Sequence, residues 1–264
     1  MLISIKIVFF TVLCRRNFEK YLILKFFLFR FVVFLKLYDS VELRVLNSFV
    51  KPGDFVVDGG ANFGIYSDRL SKIVGDTGKV LSVEPLDFMC DFMQRNSHKN
   101  NVQITKVALS NLNQNMEINI PYIGKGLLEP ALATLEKHPN ARAMIVKCEK
   151  LDDLIPAETH VTFLKLDLEG HELKALEGSE RVLRTDRPIV QIEVNYIQRN
   201  LSDWEELMTK YSYHLFAIRS RYTKKSSNYY LFPIENKKEI CRLIPKSFVI
   251  LAYDFSGHFV NYEF

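Results

Sequence analysis

An acidic residue followed by several small residues marks the first stretch of this 264-residue chain that could perform chemistry. The apolar run from Phe55 to Val57 predicts a buried strand, and Asp58 stands at its end. Residues 59–61 are Gly-Gly-Ala, which let the backbone approach a ligand closely and adopt unusual φ and ψ values. Gly64 then precedes a helical pattern from Ile65 to Val74. A strand, a tight turn of small residues and a helix form the nucleotide site of doubly wound α/β folds.

The charge at the end of this strand distinguishes two classes of nucleotide cofactor. A dinucleotide places its pyrophosphate over the helix N-terminus, where the carboxylate of Asp58 would repel it. S-adenosyl-L-methionine has no phosphate and carries a cationic amino group, so an acid suits it there. The next predicted strand, Val80 to Val83, ends on Glu84, which could accept hydrogen bonds from both ribose hydroxyls. The two acids predict an S-adenosyl-L-methionine site; the alternative is that Asp58 only caps a helix and Glu84 is a surface acid.

Two acids and a histidine follow a later strand and could accept a proton. Residues 161–166 are predominantly apolar, and Asp167, Glu169 and His171 come after them. In a doubly wound sheet this strand neighbours the first, so these side chains are expected beside the reacting group of the cofactor. Histidine has the pKa best matched to base chemistry at neutral pH, and an acid could serve if burial raised its pKa. Asp167 is the preferred base, whereas His171 could instead make only a polar contact in the next helix.

The remaining apolar periodicity predicts a doubly wound, Rossmann-like α/β fold with a mostly parallel sheet. A third strand from Val102 to Leu109 would bring Ala108 beside the adenine ring, because ligands lie at the carboxyl ends of the strands. Residues 110–150 interrupt the alternation of strands and helices, and Pro121 to Asn140 is predicted as a loop. This insertion either shapes the substrate pocket or is an ordinary decorating hairpin. Further strands are predicted at Met116–Ile120, Met144–Cys148, residues 187–194, Tyr213–Ile218, Tyr229–Phe232 and Phe248–Ala252.

The charge of the chain is unevenly distributed between its N-terminus and the rest. Residues 1–37 contain seven Lys and Arg against one Glu, a balance of 7 − 1 = +6, so residues 38–264 carry 4 − 6 = −2. We therefore predict one domain over residues 38–264 that does not bind nucleic acid. Residues 1–37 are an apolar, basic extension whose cations disfavour a membrane-spanning helix. This extension is expected either to lie on an anionic membrane surface or to pack on the domain. A signal anchor formed by Leu2 to Leu13 with flanking residues is a third alternative.

The four cysteines of the chain lie far apart and form neither a CxxC pair nor a zinc-binding spacing. Buried thiols in a reducing compartment are the simplest interpretation. We therefore expect a cytoplasmic protein, with membrane association through the N-terminus as an open possibility, and we predict no metal site.

The chain resembles the FkbM family of S-adenosyl-L-methionine-dependent methyltransferases over about residues 40–255. The combination of Asp-x-Gly-Ala-Asn-x-Gly with Lys-x-Asp-x-Glu-Gly-x-Glu makes the resemblance specific. The segments that carry it are residues 50–54, Val56–Ser67, Val83–Pro85, Leu151–Ile155, Leu164–Glu172 and Arg187–Glu193.

This resemblance implies a class I methyltransferase fold with a seven-stranded sheet. It also implies that the methionine end of the cofactor is lined by Asp58, Gly60, Asn62 and Gly64, and that the ribose is bound by Glu84. Gly59 departs from the family, which more often has an aliphatic residue at that position.

Together these features predict an O-methyltransferase that acts on a hydroxyl of a sugar, glycolipid or polyketide-like small molecule. The alternative is a catalytically inactive, methyltransferase-like binding module that associates with a membrane or a partner. An NAD-type oxidoreductase is disfavoured by Asp58.

Overall fold

The computed structural model describes residues 41–96, 99–123, 127–193, 201–220, 228–236, 240–245, 248–253 and 258–262. The predicted N-terminal extension, residues 1–37, lies outside these ranges, so its membrane contact and the domain boundary at residue 38 stay predictions. Within the described ranges, no helix combines the length and the apolar character needed to cross a membrane.

Helices and strands alternate along the first half of the described chain, as the periodicity predicts. The helices are α1 (Val41–Phe49), α2 (Ile65–Val74), α3 (Asp87–Asn96), α4 (Leu151–Leu154), α5 (Glu172–Glu177), α6 (Leu201–Tyr211) and α7 (Ile240–Leu243). The strands are β1 (Phe55–Gly59), β2 (Lys79–Val83), β3 (Val102–Thr105), β4 (Ala108–Leu109), β5 (Gln114–Ile123), β6 (Leu127–Leu128), β7 (Ala141–Glu149), β8 (Val161–Leu166), β9 (Ile189–Glu193), β10 (Tyr213–Ser220), β11 (Asn228–Pro233), β12 (Phe248–Tyr253) and β13 (Phe259–Asn261).

The central sheet has the strand order β13-β12-β10-β11-β9-β8-β1-β2-β3. The neighbouring strands β9, β8, β1, β2 and β3 are parallel to one another. The pairs β9–β11, β11–β10, β10–β12 and β12–β13 are antiparallel. This is the doubly wound α/β fold predicted, but the sheet has nine strands rather than seven. The two additional strands, β12 and β13, pair beyond β10 and cover an edge that would otherwise expose unpaired N–H and C=O groups.

A second, smaller sheet with the order β4-β7-β5-β6 is built almost entirely from the insertion. The predicted third strand, Val102–Leu109, is divided between the two sheets. Its first part is β3, which pairs with β2, whereas Ala108 and Leu109 form β4 and pair with β7. The predicted loop from Pro121 to Asn140 contains the short strand β6 and a 3₁₀ turn at Pro130–Leu132.

The alternation of side chains along β1 fixes which face of the sheet carries the first acid. Val57 packs into the apolar layer on one face, and Val56 packs with Leu70 of α2 on the other. Because successive side chains of a strand point to opposite faces, Asp58 shares the face of Val56. Helix α2 therefore covers Asp58, and Ser67 on this helix lies within hydrogen-bond distance of it.

Candidate active site

A cleft lies at the carboxyl ends of β1, β2 and β8, where a doubly wound sheet binds its ligands. It encloses about 570 Å³ of space, part of which is open solvent. The second sheet forms the opposite wall through residues 130–135. Asp58 and Gly64 do not line the cleft, although we expected them to. The structure brings together seven of the predicted site residues along the cleft wall: Gly60, Asn62, Glu84, Ala108, Asp167, Glu169 and His171.

Gly60 allows the ends of β1 and β8 to meet below the cleft. Its φ is +71°, and an added Cβ would lie 1.9 Å from the backbone oxygen of Asp167. The amide of Asp167 donates a hydrogen bond to the carbonyl of Gly59 at 3.1 Å. No side chain fits at residue 60, so this turn places backbone rather than side chain against a ligand.

Glu84 is held in the cleft wall by two backbone amides. Its carboxylate accepts hydrogen bonds from the N–H of Asn62 at 2.9 Å and of Leu86 at 3.0 Å. Burial raises the pKa of Glu84 to about 7, and the two backbone hydrogen bonds oppose this shift. Each carboxylate oxygen can accept a further hydrogen bond, so Glu84 can still bind a pair of ligand hydroxyls.

Asn62 adds a polar atom to the cleft wall. Its φ is +53°, and its side-chain oxygen is buried without a hydrogen-bond partner among the described residues. Buried polar atoms are normally paired, so an unpaired one in a cleft wall indicates a place for a ligand donor.

Asp58 lies beneath the cleft rather than in its wall. Its side chain is fully buried, and the hydroxyl of Ser67 donates a 2.6 Å hydrogen bond to Oδ2. Ser67 in turn accepts a hydrogen bond from Ser82 at 2.7 Å. Asp58 is buried against α2 and does not line the cleft, so its charge can act on a ligand only over a distance. Gly64 does not line the cleft either, and an added Cβ there would lie 2.9 Å from the sulfur of Met93.

Lys165 connects the two acid-bearing strands and was missed by the sequence analysis. Its ammonium lies 3.4 Å from Oδ1 of Asp58 and 3.3 Å from Oδ2 of Asp167. Burial disfavours the charged ammonium, but the two carboxylates outweigh it and raise the pKa of Lys165. The available signal was a cation two residues before Asp167 in a predominantly apolar strand, the first residue of the Lys-x-Asp-x-Glu-Gly-x-Glu motif. The β1–β8 register pairs residue 165 with Asp58.

The loop after β8 is fixed by contacts at both of its ends. The carboxylate of Glu172 accepts hydrogen bonds from the backbone N–H of Leu168 at 2.8 Å and from that of Gly170. Glu169 between them has a φ of +52°, and its carbonyl accepts a 2.8 Å hydrogen bond from the hydroxyl of Thr134. A non-glycine residue in this region costs about 1–2 kcal/mol and persists only where its surroundings hold it. The second sheet therefore helps to position Glu169.

Burial shifts the pKa values of Glu169 and His171 in opposite directions. Burial, reinforced by Asp167 and Glu172, raises the pKa of Glu169 to about 7. Burial lowers the pKa of His171, although the neighbouring Glu136 opposes this shift. The imidazole Nε2 lies 3.0 Å from the hydroxyl of Ser110, and Nδ1 lies 3.6 Å from a carboxylate oxygen of Glu136.

The other end of the cleft is apolar and suits a planar base. Ala108 and Leu109 of β4 face it together with Ile118, Ala133 and Leu135. An apolar end, a carboxylate for hydroxyls, an unpaired amide oxygen and two further acids fit the adenine, ribose and cationic end of S-adenosyl-L-methionine.

Comparison with known proteins identifies a family over most of the central sheet. The sequence model of the FkbM methyltransferase domain matches residues 58–215, which is more than half of the chain. The ribosomal RNA large subunit methyltransferase E of Vesicomyosocius okutanii subsp. Calyptogena okutanii is 35% identical over 88 residues, 31% of this chain and 40% of that protein.

Among solved structures, the methyltransferase FkbM from Methylobacillus flagellatus KT is similar to 70% of this chain. The match covers 44% of that protein with 18% identity and a TM-score of 0.48. An S-adenosylmethionine-dependent O-methyltransferase from Thermotoga maritima matches 73% of this chain and 64% of its own, with 12% identity and a TM-score of 0.45. The chain thus spans less than half of the curated relative and of the M. flagellatus protein.

Proposed function

Because this chain belongs to the FkbM family of S-adenosyl-L-methionine-dependent methyltransferases, we propose that it methylates a hydroxyl group of a sugar, glycolipid or polyketide-like small molecule. The observation that carries this proposal is the meeting of two groups of residues in one cleft. Glu84 and Asn62 suit the cofactor, and Asp167, Glu169 and His171 suit proton removal from an acceptor.

In this proposal one group of cleft residues binds the cofactor, and another group accepts the proton of the acceptor hydroxyl. Glu84 would accept hydrogen bonds from the ribose hydroxyls, Asn62 would pair its free amide oxygen with a ligand donor, and Ala108 would contact the adenine. S-adenosyl-L-methionine, when bound, supplies an electrophilic methyl group on a sulfonium centre. By holding the acceptor hydroxyl in line, the cleft would convert a two-body reaction into an effectively unimolecular one.

Three side chains are candidates to accept the hydroxyl proton. Asp167 lies nearest to the strand ends, but its carboxylate is paired with Lys165. Burial raises the pKa of Glu169 to about 7, which is close to the value that suits a general base at neutral pH. Burial lowers the pKa of His171 and so favours the neutral imidazole, the form that can accept a proton. In this proposal Asp167 orients the hydroxyl when one of the other two takes the proton.

Calorimetric titration of the full-length protein with S-adenosylhomocysteine tests the cofactor half of the proposal. We expect micromolar binding that Glu84→Gln weakens at least tenfold, since hydrogen bonds to a charged carboxylate contribute about 1.5–3 kcal/mol. Glu158→Gln removes an exposed acid outside the cleft and serves as the matched control. Absence of binding in folded wild-type protein would contradict the proposal.

Transfer of a tritiated methyl group to a panel of sugars, glycolipids and polyketide alcohols tests the catalytic half. Asp167→Ala should retain S-adenosylhomocysteine binding and lose turnover. Binding without transfer to any acceptor class would favour the inactive binding module instead.

Ribosomal RNA is a second candidate acceptor, favoured by the match to a ribosomal RNA methyltransferase. The net charge of −2 over residues 38–264 opposes it, because nucleic-acid binding rests on neutralising phosphates with Lys and Arg. Tritium transfer to purified ribosomal RNA, with none to the small alcohols, would replace the small-molecule proposal.

A further inference from the structure

Lys165 is a buried cation that has no role in the proton removal and cofactor binding proposed above. Its side chain is 4% exposed, and its ammonium lies between Asp58 and Asp167, 4.7 Å from the ring centroid of Tyr66. A buried charge is tolerated only when it is paired, and here one cation is shared by two carboxylates. The two carboxylates and the ammonium together carry a formal net charge of −2 + 1 = −1.

The charge of Lys165 reaches the cleft through Asp167. The Asp167 side chain is 36% exposed and lines the cleft, whereas its partner ammonium lies behind it at 3.3 Å. A cationic ligand near Asp167 is attracted by the carboxylate and repelled by the ammonium. A neutral ligand of the same shape experiences neither effect to first order.

We propose that Lys165 determines how strongly the cleft prefers a cationic sulfonium ligand over the corresponding neutral thioether. The inference rests on the proposed function, in which methyl transfer converts S-adenosyl-L-methionine into S-adenosylhomocysteine and removes one positive charge. Two unneutralised acids would stabilise the sulfonium ground state more than a transition state in which that charge is dispersing. Lys165 limits this ground-state stabilisation, which would otherwise raise the activation barrier for methyl transfer.

The affinity ratio of the two ligands tests the inference without an acceptor. Full-length protein is titrated with S-adenosyl-L-methionine and with S-adenosylhomocysteine, and the ratio of their Kd values is compared between wild type and Lys165→Met. We expect the preference for the sulfonium to rise on the order of tenfold, because a unit positive charge that repels the sulfonium from within the protein is removed. Lys79→Met, at the start of β2 and the opposite end of the sheet, should leave the ratio unchanged.

A second variant keeps the inference testable if Lys165→Met does not fold. Lys165→Gln removes the same positive charge but keeps a hydrogen-bond donor between the two carboxylates, so it should raise the preference for the sulfonium to a similar extent. A ratio within twofold of wild type in either folded variant would overturn the role of Lys165. If wild-type protein binds neither ligand, the proposed function itself fails, which is a distinguishable result.

Discussion

Replacement of Glu84 by Gln should stabilise the protein at alkaline pH while it weakens cofactor binding. Burial raises the pKa of Glu84 from its ordinary 4.5 to about 7. The folded state therefore holds a proton that the unfolded state releases, and stability falls as the pH rises from about 4.5 to about 7. Above pH 7 Glu84 is ionised in both the folded and the unfolded state, so the loss of stability no longer changes with pH. At 1.36 kcal/mol per pKa unit, the charged carboxylate costs about 3 kcal/mol of the free energy of unfolding at pH 8.

Urea denaturation of both proteins at pH 4.5 and pH 8 measures this effect directly. The two should be equally stable to within about 1 kcal/mol at pH 4.5, where the glutamate is protonated. At pH 8 the Glu84→Gln midpoint should lie about 1 M urea higher, given a slope of about 3 kcal/mol/M. The raised pKa of Glu169 is present in both proteins and cancels in the difference. A variant less stable than wild type at pH 8 would refute the reasoning, because the two N–H donors would then outweigh the cost of burial.

Two further substitutions probe the turn and the histidine. Gly60→Ala should prevent binding of S-adenosylhomocysteine or folding itself, because the new Cβ would lie 1.9 Å from the oxygen of Asp167. Gly75→Ala serves as the control: its new Cβ would enter open space, but its backbone (φ 65°, ψ −166°) lies in a region that only glycine adopts readily, so the variant should lose about 1–3 kcal/mol of stability by thermal denaturation and still bind the ligand. His171 should titrate below its ordinary 6.5 by NMR, so that its contribution to stability is lost as the pH falls below 6.5. Glu136→Gln should lower this pKa further, and an unchanged value would show that Glu136 does not act on the ring.

The sequence was most informative where strand periodicity and the position of acids agreed. Asp58 and Asp167 each follow an apolar run, and the rule that ligands bind at carboxyl ends of parallel strands was enough to predict adjacent strands. The same rule cannot say how deep a side chain lies. Whether Asp58 faces the cleft or is covered depends on Ser67, one turn into the following helix, and on the packing of that helix.

The contacts of the insertion could not have been predicted from its own pattern. Thr134 lies in a stretch without periodicity, and only the three-dimensional docking of the second sheet brings its hydroxyl to the carbonyl of Glu169. The division of the predicted third strand had the same cause. Ala108 and Leu109 are apolar, so the sequence pattern shows no break after β3. These two residues belong to the second sheet because they pair with β7 rather than with β2.

The position of β1 between β2 and β8 has a consequence for synthesis of the chain. On one side β1 pairs with β2, which follows about twenty residues later in the chain. On the other side it pairs with β8, where the partner of Asp58 is Lys165, more than a hundred residues downstream. Contacts of such large sequence separation form late and slowly. A nascent chain that ends before β8 therefore exposes an unpaired strand edge and an acid without its cation. In this interval aggregation through the unpaired edge competes with folding.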